Sequence, residues 1–357
     1  MARLAIVVIV SLLALAEGGK GFCSPLSLIQ NLLHGHHVPK TYPVPTPVPS
    51  FVFSPYKDVT LWFNWTSNVI GTNVTGTYMP MLDALKATGV DTVTWAFATG
   101  TCASETWAAI KASDMINANI AAWARAGVKY IISTGGAAGA FRCANATDFL
   151  AFINRYKTPS LIGIDLDIEG TATQGDIDHM VQVVKAAQRT YPTMRFSFTV
   201  PTLGGTVVSG GTLGTIGNML MGSLEKFALT KFFVNLMTMN YGDAAPGNCV
   251  LGIDGRCEMG LSAIQAARNL HDTNGIPYSQ IEITPMIGGN DSPNQMFTLE
   301  DAKNLATFAK LNGLGGIHFW SFDRDNDCPP GPASPLCNTY GNAGTLGFTK
   351  AFTAAFA

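Results

Sequence analysis

Eight apolar runs with the character of buried strands alternate with helix-period segments along most of this 357-residue chain. The strand candidates are 58–64, 92–99, 129–134, 161–169, 195–200, 232–241, 280–287 and 315–322. The helical segments between them include 79–88, 113–126, 147–156, 176–190, 261–273 and 299–312. Runs that are continuous in Val, Ile and Phe are typical of parallel strands buried on both faces. The alternation therefore predicts an α/β protein with a closed (β/α)8 barrel, the TIM barrel.

The composition excludes several classes of partner. Hydrophobic residues make up 47% of the chain, charged residues only 13%, and the formal net charge is −2. This balance fits a large core and gives no electrostatic reason to expect nucleic acid or an acidic membrane as a partner. We expect a monomer that needs neither a cofactor nor a metal ion.

The N-terminus has the pattern of a secretory signal peptide. Arg3 precedes an apolar run from Leu4 to Leu15, and small residues follow, with a cleavage site predicted after Ala16. We therefore expect residues 1–16 to be removed and the mature protein to be secreted, with no membrane association. Residues 17–57 are expected to form an N-terminal segment that contains a proline-rich linker, and residues 58–357 the barrel domain.

Export makes disulfides the default state of the seven cysteines. Two pairs each close a short loop, and a third would join the loops after the second and third strands; Cys23 is left over. The predicted bridges are Cys249–Cys257, Cys328–Cys337 and Cys102–Cys143. N-glycosylation sequons begin at Asn64, Asn73, Asn145 and Asn290, which is compatible with a secreted glycoprotein.

The fourth strand candidate carries three acidic residues at alternate positions: Asp165, Asp167 and Glu169. Alternate side chains of a strand point to the same face, so these carboxyl groups should lie about 6–7 Å apart in a row. Like charges at this spacing raise one another's pKa, and one group can then keep its proton near neutral pH. A protonated carboxylic acid beside ionised ones suits general acid catalysis.

Polar and aromatic residues also close other strand candidates. Ser133, Gly135 and Gly136 end the third strand, a Met-Asn-Tyr run (239–241) ends the sixth, and Trp320 ends the eighth. In a (β/α)8 barrel the active site lies at the C-terminal ends of the strands. These groups should therefore meet the acidic residues at one barrel face.

The motifs at these strand ends resemble those of glycoside hydrolase family 18, the chitinase family, and especially its single-domain chitinase D-like branch. Residues 163–169 match the family's Asp-Gly-hydrophobic-Asp-hydrophobic-Asp-x-Glu signature except at its first position, which is Ile162 here. The strand-three and strand-six motifs and Trp320 also match, although Gly242 replaces an Asp often found there. The resemblance spans roughly residues 58 to 356.

The resemblance implies a retaining, substrate-assisted hydrolysis of β-1,4 bonds between N-acetylglucosamine units, in which the acetamido group of the substrate acts as nucleophile. Glu169 would be the acid/base, Asp167 would orient the acetamido N–H, and Asp165 would share a proton with Asp167. Tyr241 would hold the acetamido oxygen. The remaining expected contacts with chitin or its oligosaccharides are Trp320, Met239, Ser133, Gly135, Gly136 and Asn240.

Two other functions remain open for this sequence. One is a non-catalytic chitin- or glycan-binding protein on the same barrel, and the other is an endo-β-N-acetylglucosaminidase. The segment after strand seven is too short for the additional α+β domain that walls the groove of some family members. The sequence therefore predicts an open cleft and endo-type cleavage.

Overall fold

The computed structural model describes Tyr42 and residues 50–207 and 213–356, all within one compact unit, Lys40–Ala357. The predicted signal peptide, nearly all of the predicted proline-rich linker and Cys23 lie outside the described residues. Among the residues that are described, no helix is both long enough and apolar enough to span a membrane.

Eight strand positions form the parallel sheet at the centre of the described chain. Strand β1 consists of two short segments, Val52–Phe53 and Tyr56–Asp58. The other strands are β2 (Thr92–Ala98), β3 (Lys129–Gly135), β4 (Leu161–Asp167), β5 (Arg195–Pro201), β6 (Phe233–Thr238), β7 (Ile281–Pro285) and β8 (Gly316–Ile317). Neighbours in the sheet follow chain order from β1 to β8.

The two segments of β1 close the sheet into a barrel. The first pairs with β8 and the second pairs with β2. Between the segments, the Ser54 N–H donates to the carbonyl of Ile317, and the Thr94 N–H donates to the carbonyl of Pro55. The predicted (β/α)8 barrel is therefore confirmed.

The predicted position of the first strand, 58–64, was wrong. Residues 59–62 form a turn in the structure, and Trp62 has a φ of 58°, which a strand does not allow. The apolar character of this run has another cause, because Val59 and Phe63 belong to the loop that follows β1 and are buried in the hydrophobic core. The sheet thus begins before residue 58, inside residues 17–57, which the sequence assigned to the N-terminal segment.

One helix follows each strand. The helices are α1 (Met81–Lys86), α2 (Ala112–Ala126), α3 (Ala146–Tyr156), α4 (Gln174–Thr190), α5 (Gly214–Lys226), α6 (Met259–Asn274), α7 (Leu299–Asn312) and α8 (Gly347–Ala354). Six of these were predicted from the sequence, whereas α5 and α8 were not. Glycines interrupt the periodic pattern of α5, and α8 has only eight residues.

Local sequence accounts for several helix ends. The hydroxyl of Thr173 accepts from the Asp176 N–H, and the Asp176 carboxylate accepts from the Thr173 N–H, which forms a capping box at the start of α4. Thr298 and Asp301 repeat this arrangement at α7. At its C-terminal end α2 stops at Gly127, whose φ of 69° lies in the left-handed region that glycine adopts without strain.

The remaining regular elements are short and lie in loops. Strand pairs join Gly71–Thr72 with Met79–Pro80, Gly100–Thr101 with Phe141–Arg142, Thr106–Trp107 with Ile110–Lys111, and Gly288–Gly289 with Met296–Phe297. Single 3-10 turns cover Tyr278–Gln280 and Phe322–Arg324. The loop between β7 and α7 spans only residues 286–298, so the predicted absence of an inserted α+β domain there is confirmed.

All three predicted disulfides are present, at Cα–Cα distances of 4.8, 5.5 and 5.8 Å for Cys102–Cys143, Cys249–Cys257 and Cys328–Cys337. The first bridge joins the loops after β2 and β3. The other two close loops after β6 and β8. All three therefore brace loops that follow the C-terminal ends of barrel strands.

The N-terminal end of the barrel interior is filled by a buried charged cluster. Arg195 of β5 donates to Glu282 of β7, and His318, just after β8, lies with its Nε2 3.3 Å from the same carboxylate. Burial alone would raise the pKa of Glu282, but Arg195 and His318 bring it below its ordinary value. This cluster closes the barrel below the acidic strand, so the barrel is a packed core and not a pore.

Candidate active site

The three acidic residues of β4 share the inner face of the barrel. Asp165 and Asp167 are 1% and 7% exposed, and Glu169, just beyond the strand, is half-buried at the barrel mouth. The intervening Leu166 and Ile168 are buried on the opposite face. The acidic row thus climbs from the barrel core to the solvent, as the alternation of β4 predicts.

Asp165 is held by four hydroxyl groups from three other strands, β1, β3 and β5. One carboxylate oxygen accepts from Tyr56 at 2.8 Å and Ser133 at 2.6 Å. The other accepts from Ser197 and Thr199, both at 2.7 Å. Burial raises the pKa of Asp165, and the four hydroxyl donors counteract part of that rise. The carboxylate therefore has a fixed position and a full set of partners.

Asp167 has the opposite environment. Its Oδ1 is buried and receives no hydrogen bond from the residues that the structure describes. Burial, and then the charges of Glu169 and Asp165, raise the pKa of Asp167 well above its ordinary value. Asp167 is therefore the carboxyl group of the row that favours a proton, and it keeps an oxygen free for a new partner.

Glu169 lies between two grooves at the barrel mouth. One groove, of about 370 Å³, runs between the loops after β3 and β4 and includes Gly136 and Arg142. The second, of about 520 Å³, is lined by loops after β5 and β6 and includes Met239 and Asn240. Burial raises the pKa of Glu169, although the backbone N–H of Ala137 opposes this rise. A proton can therefore remain on Glu169 at a pH where a free glutamate has lost it.

The Ser-x-Gly-Gly motif of β3 supports the acidic strand. A Cβ on Gly135 would come within 2.3 Å of the Asp167 carbonyl oxygen, and one on Gly136 within 3.1 Å of the Phe97 ring. Glycine is thus required where β3 passes β4. Ser133 is 0% exposed and donates to Asp165. Ser133 therefore positions the carboxylate, and its predicted contact with substrate stays a prediction.

Trp320 forms part of an aromatic group at the barrel mouth. Its ring stacks on Phe97, with centroids 5.6 Å apart and an interplanar angle of 21°, and it lies 6.2 Å from Tyr56. The backbone of Trp320 continues the sheet, since its N–H donates to Pro285 and its carbonyl accepts from Ile287. Trp320 and Phe97 are both partly exposed, so they present aromatic surface beside the acidic row.

The residues after β6 divide into buried and exposed groups. Tyr241 is 2% exposed, and its hydroxyl receives no partner from the described chain. Burial raises the pKa of Tyr241, so the phenol stays neutral and able to donate. Met239 is partly exposed in the second groove. Asn240 is exposed there, but its side chain holds the next loop by donating to Asp291 at 2.9 Å and accepting from the Asp291 N–H.

Sequence reasoning missed the groups that surround Asp165. Tyr56, Ser197 and Thr199 contact it directly, and Asn235 donates to both Tyr56 and Thr199. Ser197 and Thr199 alternate in β5 and therefore share a face, which was the available signal. Phe97 was also missed, since its role depends on the neighbouring position of Trp320.

One sequon is blocked by the fold. Asn290 is 6% exposed, and its amide nitrogen donates to the carbonyls of Met286 and Gly288. A glycan cannot be attached to this side chain in the folded protein. The glycosylation prediction for the other sequons stays a prediction.

The arrangement can perform acid-catalysed cleavage of a glycosidic bond. A half-buried acid stands at the mouth, a buried carboxyl group with a free oxygen lies below it, and aromatic surface lies alongside. Carboxyl groups paired in this way on a barrel are the catalytic equipment of glycoside hydrolases. The fold and the site together thus define this class of protein.

Comparison with known proteins shows which glycoside hydrolases this chain is similar to. No family model matches the chain. The chain is 30% identical over 225 residues to a probable bifunctional chitinase/lysozyme of Escherichia coli strain K12, covering 58% of this chain and 24% of that protein. It is 29% identical over 303 residues to Endochitinase 11 of Metarhizium anisopliae, covering 78% of this chain and 53% of that protein. The matches thus span about half of one curated relative and a quarter of the other.

Solved structures agree with these relatives. The catalytic domain of a hyperthermophilic chitinase from Pyrococcus furiosus superposes with a TM-score of 0.66 at 25% identity, covering 88% of this chain and 97% of that one. Catalytic-site mutants of active domain 2 of the P. furiosus chitinase, complexed with chito-oligosaccharides, give the same values. The chain is thus similar to chitinases, in agreement with the resemblance of its strand-end motifs. Membership of glycoside hydrolase family 18 and of its chitinase D-like branch stays a prediction.

Proposed function

We propose that this protein is an endo-acting chitinase that hydrolyses β-1,4 bonds between N-acetylglucosamine units with retention at the anomeric carbon. The observation that carries the proposal is the contrast between two carboxyl groups of β4. Asp165 is saturated by four hydroxyl donors, whereas the buried Oδ1 of Asp167 has no donor in the described residues. Such an oxygen is suited to accept the N–H of a substrate acetamido group.

In the first step the acetamido carbonyl oxygen of the substrate attacks the anomeric carbon. The bond to the leaving sugar breaks, and Glu169 transfers its proton to the departing oxygen. Asp167 accepts the acetamido N–H and stabilises the positive charge of the resulting oxazolinium ion. The buried hydroxyl of Tyr241 donates to the acetamido oxygen and orients it for attack.

In the second step water attacks the same carbon from the side that the leaving sugar vacated. Glu169, now a carboxylate, takes the proton from this water and returns to its acid form. The carbon–oxygen bond of the oxazolinium opens, so two inversions give net retention. Trp320 and Phe97 supply the apolar surface against which the sugar ring rests.

The form of the cleft supports cleavage within a chain. The loop from β7 to α7 spans only residues 286–298, which is too short for an inserted domain that could wall the cleft. Without such a domain, grooves on both sides of Glu169 can accept the middle of a polymer. We also propose that the protein is exported and acts as a monomer, as the N-terminal sequence and the three disulfides suggest.

Incubation of the purified protein with chitin hexamers, followed by mass spectrometry and NMR of the products, tests the proposal. We expect several product lengths at the earliest times and a β-anomer that mutarotates later. Release of disaccharide alone, successively from one chain end, would refute the endo mode. An initial α-anomer would refute the substrate-assisted mechanism, and absence of cleavage would refute the chitinase assignment.

A further inference from the structure

The backbone turns away from the sheet just before Tyr241. Strand β6 ends at Thr238, and its pairing with the neighbouring strands ends there too. Asn240 then has a φ of 52° and Gly242 a φ of 71°, in the left-handed region that asparagine and glycine adopt most readily. The backbone N–H groups of this turn lie beyond the sheet, so they need other hydrogen-bond partners.

Side chains of the loop between β7 and α7 supply these partners. The Asn240 N–H donates to Asn290 Oδ1 at 3.2 Å, and the Gly242 N–H donates to Ser292 Oγ at 3.3 Å. Between them, the Tyr241 N–H donates to Gln295 Oε1 at 2.9 Å. Three consecutive N–H groups are thus received by one loop, from residues 50 to 54 positions later in the chain. The position of Tyr241 is therefore set by this loop as well as by β6.

Gln295 holds the turn from both ends of its amide group. Besides accepting from Tyr241, it donates from Nε2 to the Gly242 carbonyl at 2.8 Å, and Nε2 lies 3.8 Å from Cys257 Sγ in the Cys249–Cys257 bridge. Its own carbonyl accepts from the Asn290 N–H at 3.0 Å. Gln295 is 4% exposed, and the protein occupies both of its amide atoms. Gln295 is therefore placed to fix the backbone and not to bind substrate.

We infer that Gln295 is a positioning residue for Tyr241 in the hydrolysis of chitin. The inference rests on the proposed function, in which the Tyr241 hydroxyl orients the acetamido oxygen for attack. Tyr241 is itself buried, so the position of its backbone determines where its hydroxyl lies. A displacement of about 1 Å at a catalytic group can lower a rate about 10²-fold. Gln295 acts through Tyr241 without touching the sugar, so its loss lowers kcat and leaves KM nearly unchanged.

The test is a double-mutant cycle of Gln295→Met and Tyr241→Phe, with kcat and KM measured on a soluble chitin tetramer. Met has nearly the length of Gln, but it has no N–H to donate and accepts only weakly. Gln295→Met should lower kcat about 10- to 100-fold and leave KM within about threefold. In Tyr241→Phe, which lacks the hydroxyl, the same change should lower kcat less than about twofold further, because the two residues act as one unit.

Two further variants sharpen the cycle. Gln188→Met is the matched control, because the Gln188 amide donates to the Lys231 carbonyl just before β6, at the opposite end of the barrel. It should leave kcat and KM unchanged. Gln295→Glu is the conservative variant, since its carboxylate still accepts from the Tyr241 N–H and loses only the bond to the Gly242 carbonyl. Its kcat should lie between those of the wild type and Gln295→Met. Urea unfolding shows whether each variant is folded, and Gln295→Glu carries the cycle if Gln295→Met is not.

The outcomes separate this inference from the proposed function. Wild-type kcat in Gln295→Met, a loss confined to KM, or an equal loss of kcat with and without the Tyr241 hydroxyl would overturn the inference. Wild-type kcat in Tyr241→Phe would overturn it together with the role of Tyr241, while cleavage of the tetramer leaves the chitinase function intact. Absence of tetramer cleavage by the wild-type protein would refute the proposed function itself.

Discussion

Replacement of Glu169 by Gln tests the central step of the mechanism. Gln has nearly the same shape as Glu and can still donate a hydrogen bond, but it cannot transfer a proton to the leaving oxygen. Because Glu169 is half-buried at the barrel mouth, its replacement leaves the core and Asp165 untouched. We expect a folded protein that binds chitin oligomers and cleaves them very slowly.

The size of the effect follows from two terms. Loss of one general acid lowers the rate by ~10²–10⁴, which corresponds to about 2.7–5.5 kcal/mol of transition-state stabilisation. The same substitution removes a charge that raises the pKa of Asp167. Asp167 should therefore titrate at a lower pH in the variant.

The assay measures kcat and KM for a chitin tetramer and for an aryl N-acetylglucosamine oligomer with an acidic phenol as leaving group. Such a phenol departs without a proton, so the variant should lose much less rate on the aryl substrate than on the tetramer. Glu300→Gln is the matched control because Glu300 is an exposed glutamate on α7. It should leave both rates unchanged.

The pH profile adds an independent check on Glu169. Burial raises its pKa, so the acid form persists above the ordinary range of glutamate and is lost as the pH rises through that raised value. The basic limb of kcat/KM should reflect this loss in the wild type. Near wild-type turnover of the tetramer by Glu169→Gln would refute the assignment, and so would equal losses on both substrates.

Three further results are expected. Asp165→Asn should shift the optimum of kcat/KM towards acid, because a charge that raises the pKa of Asp167 is lost; an unchanged profile would contradict this. Lys57→Met should lower the free energy of unfolding in urea by about 3–5 kcal/mol, since it leaves Asp323 buried without its cation, and Lys57→Met/Asp323→Leu should recover most of that loss. Burial raises the pKa of Asp325 to about 6, above its unfolded value of ~3.9, so ionisation of the folded protein costs stability as the pH rises from 4 to 6. Relative to Asp325→Asn, the wild type should therefore lose up to about 3 kcal/mol of its free energy of unfolding over that range in parallel urea titrations. An identical pH dependence of the two proteins would exclude this effect.

The fold was predictable where local pattern and global structure agree. Strands β2 to β7 are buried apolar runs bounded by turns, and their positions followed directly from the sequence. The predicted position of the first strand was wrong because Val59 and Phe63 are buried, as residues of a strand would be, although they lie in a loop. The positive φ of Trp62 turns the chain there. Helices α5 and α8 were not predicted, because α5 is rich in glycine and α8 is too short to show a helical period.

The residues of the candidate site also include some that the sequence predicts and some that it does not. The row of three acidic residues was predictable because its members lie within five residues on one strand. The hydroxyl donors around Asp165 come from three other strands, and only closure of the barrel brings them together. In sequence Ser197 and Thr199 are ordinary strand residues, so their role depends on contacts 32 and 34 residues away.

The environments of the carboxyl groups explain why one strand can supply three different functions. Asp165 has all its hydrogen bonds made, so it cannot turn and serves as a fixed acceptor and charge. Asp167 lies one position above it with a buried, unpartnered oxygen and a raised pKa, so it can take up a proton or a substrate N–H. Glu169 reaches the mouth, where both grooves meet and where a leaving oxygen can arrive. The depth at which each carboxyl group is buried along β4 thus determines its role. A substitution that donates a hydrogen bond to Asp167 should lower the pKa of Asp167 and weaken its interaction with the substrate N–H.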